Sequence, residues 1–303
     1  MKEYDEVDFY LEDLKSKFLK IDPTKYYLSY SGGRDSHLLY WFLKVWLPKN
    51  DFRMWLKYKE IKIVSSNTRM EHPEILRRMI DFSDIVLLPE LKPQEIKAKV
   101  GSPCFSKQQD DHINRYQKGS RAPSTMEVIL GTKNDGKSMF KMNKQASSLL
   151  LSNDLHRVSP KCCDYLKKRP LKIYEKKSNT KPIIGVRGSE SLLRKAQYGN
   201  VTDSEEYSEA CFTNTGKFTP LHDLDDVLFE KIYKKYGIPT PKLYNYISQT
   251  GCMGCPYGSY SGHTKIELDL LPKNKRKFII DYFKESYDVL GIEYETRQTK
   301  LDI

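Results

Sequence analysis

The sequence predicts a three-layer α/β fold built on a doubly wound parallel sheet with inserted loops and helices, and three observations carry that expectation. Short β-prone runs alternate with helical patterns over the first 90 residues, an order that calls for a parallel sheet covered by helices. A glycine turn joins the first strand to an apolar helix. A further apolar run at Lys181 to Arg187 (KPIIGVR) reads as another core strand.

Taken in order, Val7, Tyr10, Leu11, Leu14, Phe18 and Leu19 recur at helical spacing, and Asp22-Pro23 ends that helix. Tyr26 to Ser31 (YYLSYS) is the first strand, and Ser36 to Leu47 is an apolar helix that Pro48 should end. Ile61 to Ser65 is a second strand, Pro73 to Phe82 a second helix and Ile85 to Leu88 a third strand. From about 100 to 160 the pattern breaks into loops and helices, an insertion over one end of the sheet. Asn200 to Lys217 is polar and reads as a surface loop, Asp223 to Tyr236 as a helix, and Pro272 to Tyr287 as a basic amphipathic helix. With no internal repeat or low-complexity linker, one domain over 1–303 is expected: a core over 24–260, an N-terminal helix over 1–22 and a helical tail over 262–303.

The chain has 303 residues, 39% hydrophobic and 30% charged, with a net charge of +11. That balance excludes collagen-like and wholly disordered classes and suits a polyanionic partner. The charge is local: from Gly131 to Lys181 thirteen Lys and Arg face four Asp and Glu, a net of +9. Six cysteines are too few for a disulfide scaffold, and no apolar run approaches a membrane span. A cytoplasmic protein with no membrane association is expected.

The most informative stretch is Ser31-Gly32-Gly33-Arg34-Asp35-Ser36. Between a strand and a helix, two glycines let the backbone approach a ligand, and the helix start and the two serines supply donors. Together they form an anion cradle for phosphate or sulfate. A carboxylate in such a cradle, Asp35, needs a cation or a ribose hydroxyl beside it. Planar, permanently charged arginines at Arg187 and Arg194 suit bidentate phosphate or sulfate contacts.

Cys162-Cys163 precedes Cys252-Met253-Gly254-Cys255-Pro256 by 89 residues, giving four thiols in two tight pairs. Four thiolates can hold zinc or an iron-sulfur cluster, and adjacent cysteines are awkward for zinc. Cys104 and Cys211 have no partner at ligand spacing, and Cys104, near the expected site, is a candidate nucleophile. The six histidines show no close ligand pair.

The SGGxDS pattern resembles the PP-motif of the adenine nucleotide alpha hydrolase superfamily, and further matches are similar to its phosphoadenylyl sulfate and adenylyl sulfate reductase branch. Asn67-Thr68 with Glu71 and Pro73 resembles that branch's N-T-x-x-E-x-P element. Gly185-Val186-Arg187-Gly188-Ser189-Glu190-Ser191 with Arg194 resembles its G-x-R-x-x-E-S-x-x-R element, and Gly101-Ser102-Pro103 its G-x-P turn. Phe218 to Leu221, Asp226-Val227 and Tyr236 to Tyr244 follow the same pattern, so the matches run from about 26 to 258.

The resemblance implies an enzyme binding ATP or an adenylyl sulfate nucleotide at Ser31, Gly32, Gly33, Arg34, Asp35, Ser36 and Gly185. It places Asn67, Thr68 and Glu71 near adenine and ribose. Asp35, Arg187 and Arg194 become the catalytic set, with Asp35 holding a magnesium ion or the cradle itself. Cys162, Cys163, Cys252 and Cys255 become the ligands of a 4Fe-4S cluster. Assimilatory reductases of this kind carry a catalytic Cys near the C-terminus, and no cysteine follows Cys255 here. The expected activity is therefore sulfur transfer: adenylation of a nucleic-acid oxygen in DNA or tRNA with pyrophosphate release, then sulfur insertion. The implied partners are a sulfur donor protein or thioredoxin-like reductant and a second copy in a homodimer. The alternatives are sulfonucleotide reduction through a cysteine such as Cys104, and a non-catalytic nucleotide-binding component.

Overall fold

The computed structural model of the chain describes residues 5–132, 142–190, 194 and 211–294. Its helices are α1 (Glu6–Phe18), α2 (Arg34–Trp41), α3 (Phe52–Tyr58), α4 (Pro73–Phe82), α5 (Pro93–Val100), α6 (Lys107–Gln117), α7 (Pro123–Leu130), α8 (Lys144–Leu151), α9 (Arg169–Ser178), α10 (Asp226–Tyr236), α11 (His263–Leu270) and α12 (Lys273–Leu290). Its strands are β1 (Tyr26–Ser29), β2 (Ile63–Ser66), β3 (Ile85–Leu87) and β4 (Lys181–Ile183).

The strands form one all-parallel sheet in the order β3-β2-β1-β4. The expected α/β class, a parallel sheet flanked by helices, is the one observed. Strand order runs outward from β1 through β2 to β3 and then resumes on the other side at β4. The switch point therefore lies between β1 and β4, where open α/β sheets hold their ligands. Leu28 pairs with Ile63 on one side and Ile183 on the other. Pro182, which has no N–H to donate, is tolerated because β4 ends the ladder. Phe218 lies along the outer side of β4, donating to Pro182 O at 3.0 Å and accepting from Ile184 N at 2.8 Å, so the edge is covered.

By contacts the chain divides into two compact units: 1–67, 73–87 and 171–244 in the first, 68–72, 88–170 and 245–303 in the second. The sheet and its core belong to the first. There α1 buries the face Val7, Tyr10, Leu11, Leu14 and Phe18, capped by Asp5, whose carboxylate accepts from Val7 N and Asp8 N. Lys17, also on that face, is buried with its charge matched by Asp223 at 2.6 Å and Asp13 at 2.8 Å. The second unit holds an apolar cluster around Met70, Met253, Leu268, Ile279 and Phe283 and another around Phe105, Ile113, Val128 and Val158. The segment expected as an insertion over about 100–160 lies wholly within it, with helices α6, α7 and α8 among its described residues.

Some boundaries differ from the sequence reading for identifiable reasons. The helix after the cradle does not stop at Pro48. A wider π turn over Phe42–Trp46 precedes Leu47–Asn50, and opening the turn ahead of a proline accommodates its ring and missing N–H. Strand β4 ends at Ile183 rather than Arg187, because the chain turns away to reach the first turn of α2. Helix α12 extends to Leu290 and closes on Gly291 in the left-handed region, φ 64°. Most of the polar segment Asn200–Lys217 lies outside the described residues. None of the described helices is long and apolar enough to cross a membrane.

His37 on α2 is buried in the first unit and bonds the Tyr30 hydroxyl at 2.9 Å through Nδ1. Burial, with the nearby Arg78 charge, lowers its pKa from 6.5 to about 3. The unfolded chain then takes up a proton near pH 6.5 that the folded chain refuses, so this stabilisation is complete above pH 6.5 and is lost as pH falls towards 3. The slope should be about 1.4 kcal/mol per pH unit from this one group. Denaturant unfolding between pH 7 and pH 4 should show it, and His37→Gln, which keeps a partner for Tyr30, should flatten it.

Candidate nucleotide site and cysteine cluster

The cradle is a closed turn at the C-terminal end of β1. Ser31 N donates to Ser36 Oγ at 3.1 Å, the two hydroxyls lie 3.0 Å apart, and Ser36 Oγ donates to Gly33 O at 3.1 Å. Gly32 has φ +75°, and a Cβ there would stand 2.9 Å from both Ile75 O and Ile75 Cγ2 on α4. Glycine is needed on both counts. Gly33 supplies no side-chain cap to α2, and Arg34 N is taken by the Tyr244 hydroxyl, which leaves the N–H groups that follow it in the first turn. Those donors, with the positive end of the helix dipole, are what an anion would meet.

Arg187 fixes the first turn of α2. Its Nε donates to Asp35 Oδ1 at 2.5 Å, its Nη1 donates to Asp226 Oδ1 and to Ser189 Oγ, and its guanidinium lies 4.1 Å from the centre of the Phe229 ring. The Arg187 hydrogen bond holds the Asp226 carboxyl below its usual range. Gly185 makes this approach feasible, since a Cβ there would sit 2.8 Å from Asp35 C. Arg34 turns outward: both terminal nitrogens bond Glu230 at 2.7 Å, and the group packs against Phe229, Tyr233 and Tyr244. Its backbone N donates to Tyr244 Oη at 3.3 Å, and Tyr233 Oη donates to its carbonyl at 2.7 Å. Aromatic rings of α10 and the following segment thus brace the cradle from outside.

Asn67 belongs to the same unit, its N donating to Leu87 O at 2.9 Å. Arg194 is half-buried, and the residues flanking it lie outside the described set. Thr68 and Glu71 belong to the second unit, at the cysteines. Thr68 Oγ1 donates to Glu71 Oε1 at 2.9 Å and lies 3.6 Å from Cys252 Sγ, while Glu71 and Cys252 form an antiparallel bridge. Cys162 is buried, and Cys163, Cys252 and Cys255 are half-buried, all unbridged. The four thiols feel one another. Hydrogen bonding to Cys163 and burial push Cys162 up. The Cys162 hydrogen bond, helped by the charges of Lys107, Lys167 and Lys168, pulls Cys163 down against burial. Burial lifts Cys252, and Cys255 to about 12.

The Cys-x-x-Cys turn is held from three sides. Gly254 N donates to Glu267 Oε2 at 3.0 Å, Tyr287 Oη donates to Gly254 O, and Thr264 Oγ1 donates to Cys255 O at 2.7 Å. Gly254 has φ +58°, and a Cβ there would meet Tyr287 Oη at 2.6 Å. Among the described residues no three His, Cys, Asp or Glu side chains are set to hold a single metal ion. Cys104 is fully buried, and burial, with Asp110 nearby, raises its thiol far above its usual range. The thiolate is the nucleophile, and burial disfavours that form at Cys104. Cys211 is buried and raised likewise.

Spacing alone does not reveal Asp226, Phe229 or Glu267, because each becomes relevant only through folding. The available signals for Asp226 are its place at the start of a helix and the match of Asp226-Val227 to the reductase-branch pattern.

No protein-family model matches the chain, and no curated protein matches it significantly. Among solved structures it is similar to phosphoadenylyl-sulfate (PAPS) reductase from Candida auris in a phosphate complex. Identity is 13% and the TM-score 0.36, over 80% of this chain and 92% of that one. A likeness at that score carries no argument about this chain, and the site reading rests on its own residues.

Gly32→Ala should destabilise the first unit by about 2 kcal/mol, from the left-handed backbone and the contact with Ile75. A shift of the denaturant midpoint at unchanged slope would measure it.

Proposed function

We propose that this chain is a nucleotide-using enzyme of sulfur metabolism. Its cradle binds ATP or an adenylyl sulfate nucleotide, and its four paired cysteines carry a 4Fe-4S cluster. The observation that carries this reading is the uncapped start of α2 at the sheet's switch point, with Asp35 clamped by Arg187. The N–H groups of that turn and the Ser31 and Ser36 hydroxyls bind phosphate oxygens. Asp35, its charge partly offset by Arg187, orients a magnesium ion or holds the turn itself. Arg187, already shared between Asp35 and Asp226, keeps the site's shape, and Arg194 meets the leaving pyrophosphate.

For the cysteines, the donor set is four thiols packed in part against an apolar cluster, with hydrogen-bonded support for the Cys-x-x-Cys turn. A zinc site needs all four sulfurs about 2.3 Å from one ion, for which adjacent cysteines are awkward, whereas a four-iron cluster takes one thiolate per iron. Cys162, Cys163, Cys252 and Cys255 would hold such a cluster, which supplies electrons or a sulfur-binding iron when bound. Lys107, Lys167 and Lys168, all exposed beside Cys163, favour a polyanionic acceptor, DNA or tRNA, there.

In the proposed activation an acceptor oxygen attacks the α-phosphorus of ATP, the bond to the β-phosphate breaks and pyrophosphate leaves. The terminal sulfur of a persulfide on a donor protein then attacks the adenylated atom, the bond from that atom to the AMP oxygen breaks and AMP leaves, and a thioredoxin-like dithiol reduces the S–S bond so formed, freeing the donor thiol and becoming the disulfide. Reduction of a sulfonucleotide through Cys104 gains no support, because that thiol is buried and burial raises it far above its usual range.

Protein purified without oxygen should be brown, contain about four iron and four sulfide per chain, and release pyrophosphate from ATP when nucleic acid is added. Asp35→Asn should lose most of that release while keeping the iron. A colourless protein with stoichiometric zinc would overturn the cluster, and no pyrophosphate with either DNA or tRNA would overturn the adenylation.

A further inference from the structure

Arg78 on α4 is nine-tenths buried, with a relative exposure of 9%. Its Nη2 donates to Pro239 O at 3.2 Å, and its Nη1 is buried with no hydrogen-bond partner. The neighbours that feel its charge are Tyr30, which also hydrogen-bonds to it, His37 and Tyr233, none of them a carboxylate. Among the described residues no carboxylate forms an ion pair with it. A buried guanidinium without a counter-ion costs several kcal/mol unless something anionic joins it.

The fold shows where that anion would be. Helix α4 begins at Pro73, just beyond the C-terminal end of β2, so its first turn lies at the same end of the sheet as the cradle. Helical side chains lean back toward the helix N-terminus, and Arg78 is one turn after Ile75, whose backbone touches Gly32. Pro239 opens the segment in which Leu243 N donates to Glu74 Oε2 at 3.1 Å and Tyr244 Oη accepts from Arg34 N. The guanidinium is thus enclosed by α4, the 239–244 segment and the residues around the first turn of α2.

We infer that Arg78 is a phosphate-binding residue of the cradle, its free Nη1 and its charge meeting the pyrophosphate portion of the nucleotide. The inference rests on the nucleotide reading above and assigns a residue which that reading leaves out. It also gives the two arginines different roles, since Arg187 is committed to two carboxylates whereas Arg78 has charge and a donor to spare.

Calorimetric titration of wild type, Arg78→Met and Arg78→Lys with inorganic pyrophosphate, ATP and adenosine, alongside melting of each unliganded protein, tests this. Arg78→Met, which removes the buried charge while keeping the volume, should melt no lower than wild type. It should bind pyrophosphate and ATP roughly tenfold to a hundredfold more weakly, the size of a lost charged hydrogen bond, and adenosine equally well. Arg78→Lys, which keeps the charge and loses the planar fork, should fall between. Unchanged pyrophosphate affinity in both variants overturns the assignment. So does a loss of adenosine affinity in step with a lowered melting point, which would make Arg78 a structural tie to Pro239. A wild type that binds neither ATP nor pyrophosphate instead overturns the nucleotide reading itself, and the Arg78 assignment with it.

Discussion

The arrangement of the candidate site depends on one guanidinium. Arg187 is joined to Asp35, on the first turn of α2, and to Asp226, on the first turn of α10, and it packs on Phe229. These two acids are 152 and 39 positions from it in sequence, so a single side chain ties together the cradle, the strand that leaves the sheet at β4 and a distant helix. Its removal would take from the Asp35 and Asp226 carboxylates the cation that joins them, and the start of α2 would lose a support that holds it in place. With the Asp35 side chain 25% exposed and that of Asp226 68% exposed, these ion pairs add little to stability. Their value is positional, because they fix a helix N-terminus that has no side-chain cap of its own.

From that constraint the surrounding chemistry follows in layers. Gly185 exists where it does because Asp35 passes too close for a Cβ, and Gly32 because α4 does. The outward side of the turn is sealed by Arg34 on Glu230 and by the rings of Phe229, Tyr233 and Tyr244. What remains toward the switch point is the set of first-turn backbone N–H groups beyond Arg34, beside the Ser31 and Ser36 hydroxyls that bond each other. The second unit solves a different problem. Its four thiols are gathered by short-range devices, Glu267, Tyr287 and Thr264 around one pair and lysines beside the other, and all of these serve to hold sulfur where water is scarce.

Much of this is legible in the sequence because it is local. Helix α4 has the bounds its residues predict, since Pro73 opens it, its apolar residues keep a helical period and Asp84 follows the turn after it. The cradle is legible because glycine, serine and a strand–helix junction coincide within six residues. The strands are correctly placed, but β1 and β4 are shorter than their composition predicts, ending at Ser29 and Ile183 while β-prone residues continue beyond them. Helix α3 is missed by periodicity, being seven residues rich in aromatics whose main signal is the Asp51 cap. No spacing rule shows that Thr68 and Glu71 lie against Cys252, or that Arg78 is buried without a counter-ion, because both depend on which chain segments meet. The resemblance places Thr68 and Glu71 near a nucleotide, and the structure adds that they line the cysteine cluster.

The central claim is that nucleotide phosphates bind at the turn Ser31 to Ser36. Amide hydrogen exchange of the full chain with and without magnesium ATP tests it most directly, because the donors in question are the exchanging groups. Bound ATP should slow exchange in peptides spanning residues 31–38, extending to those spanning 73–80. Unchanged exchange over 31–38 at saturating ATP, with any protection confined to other segments, would contradict it.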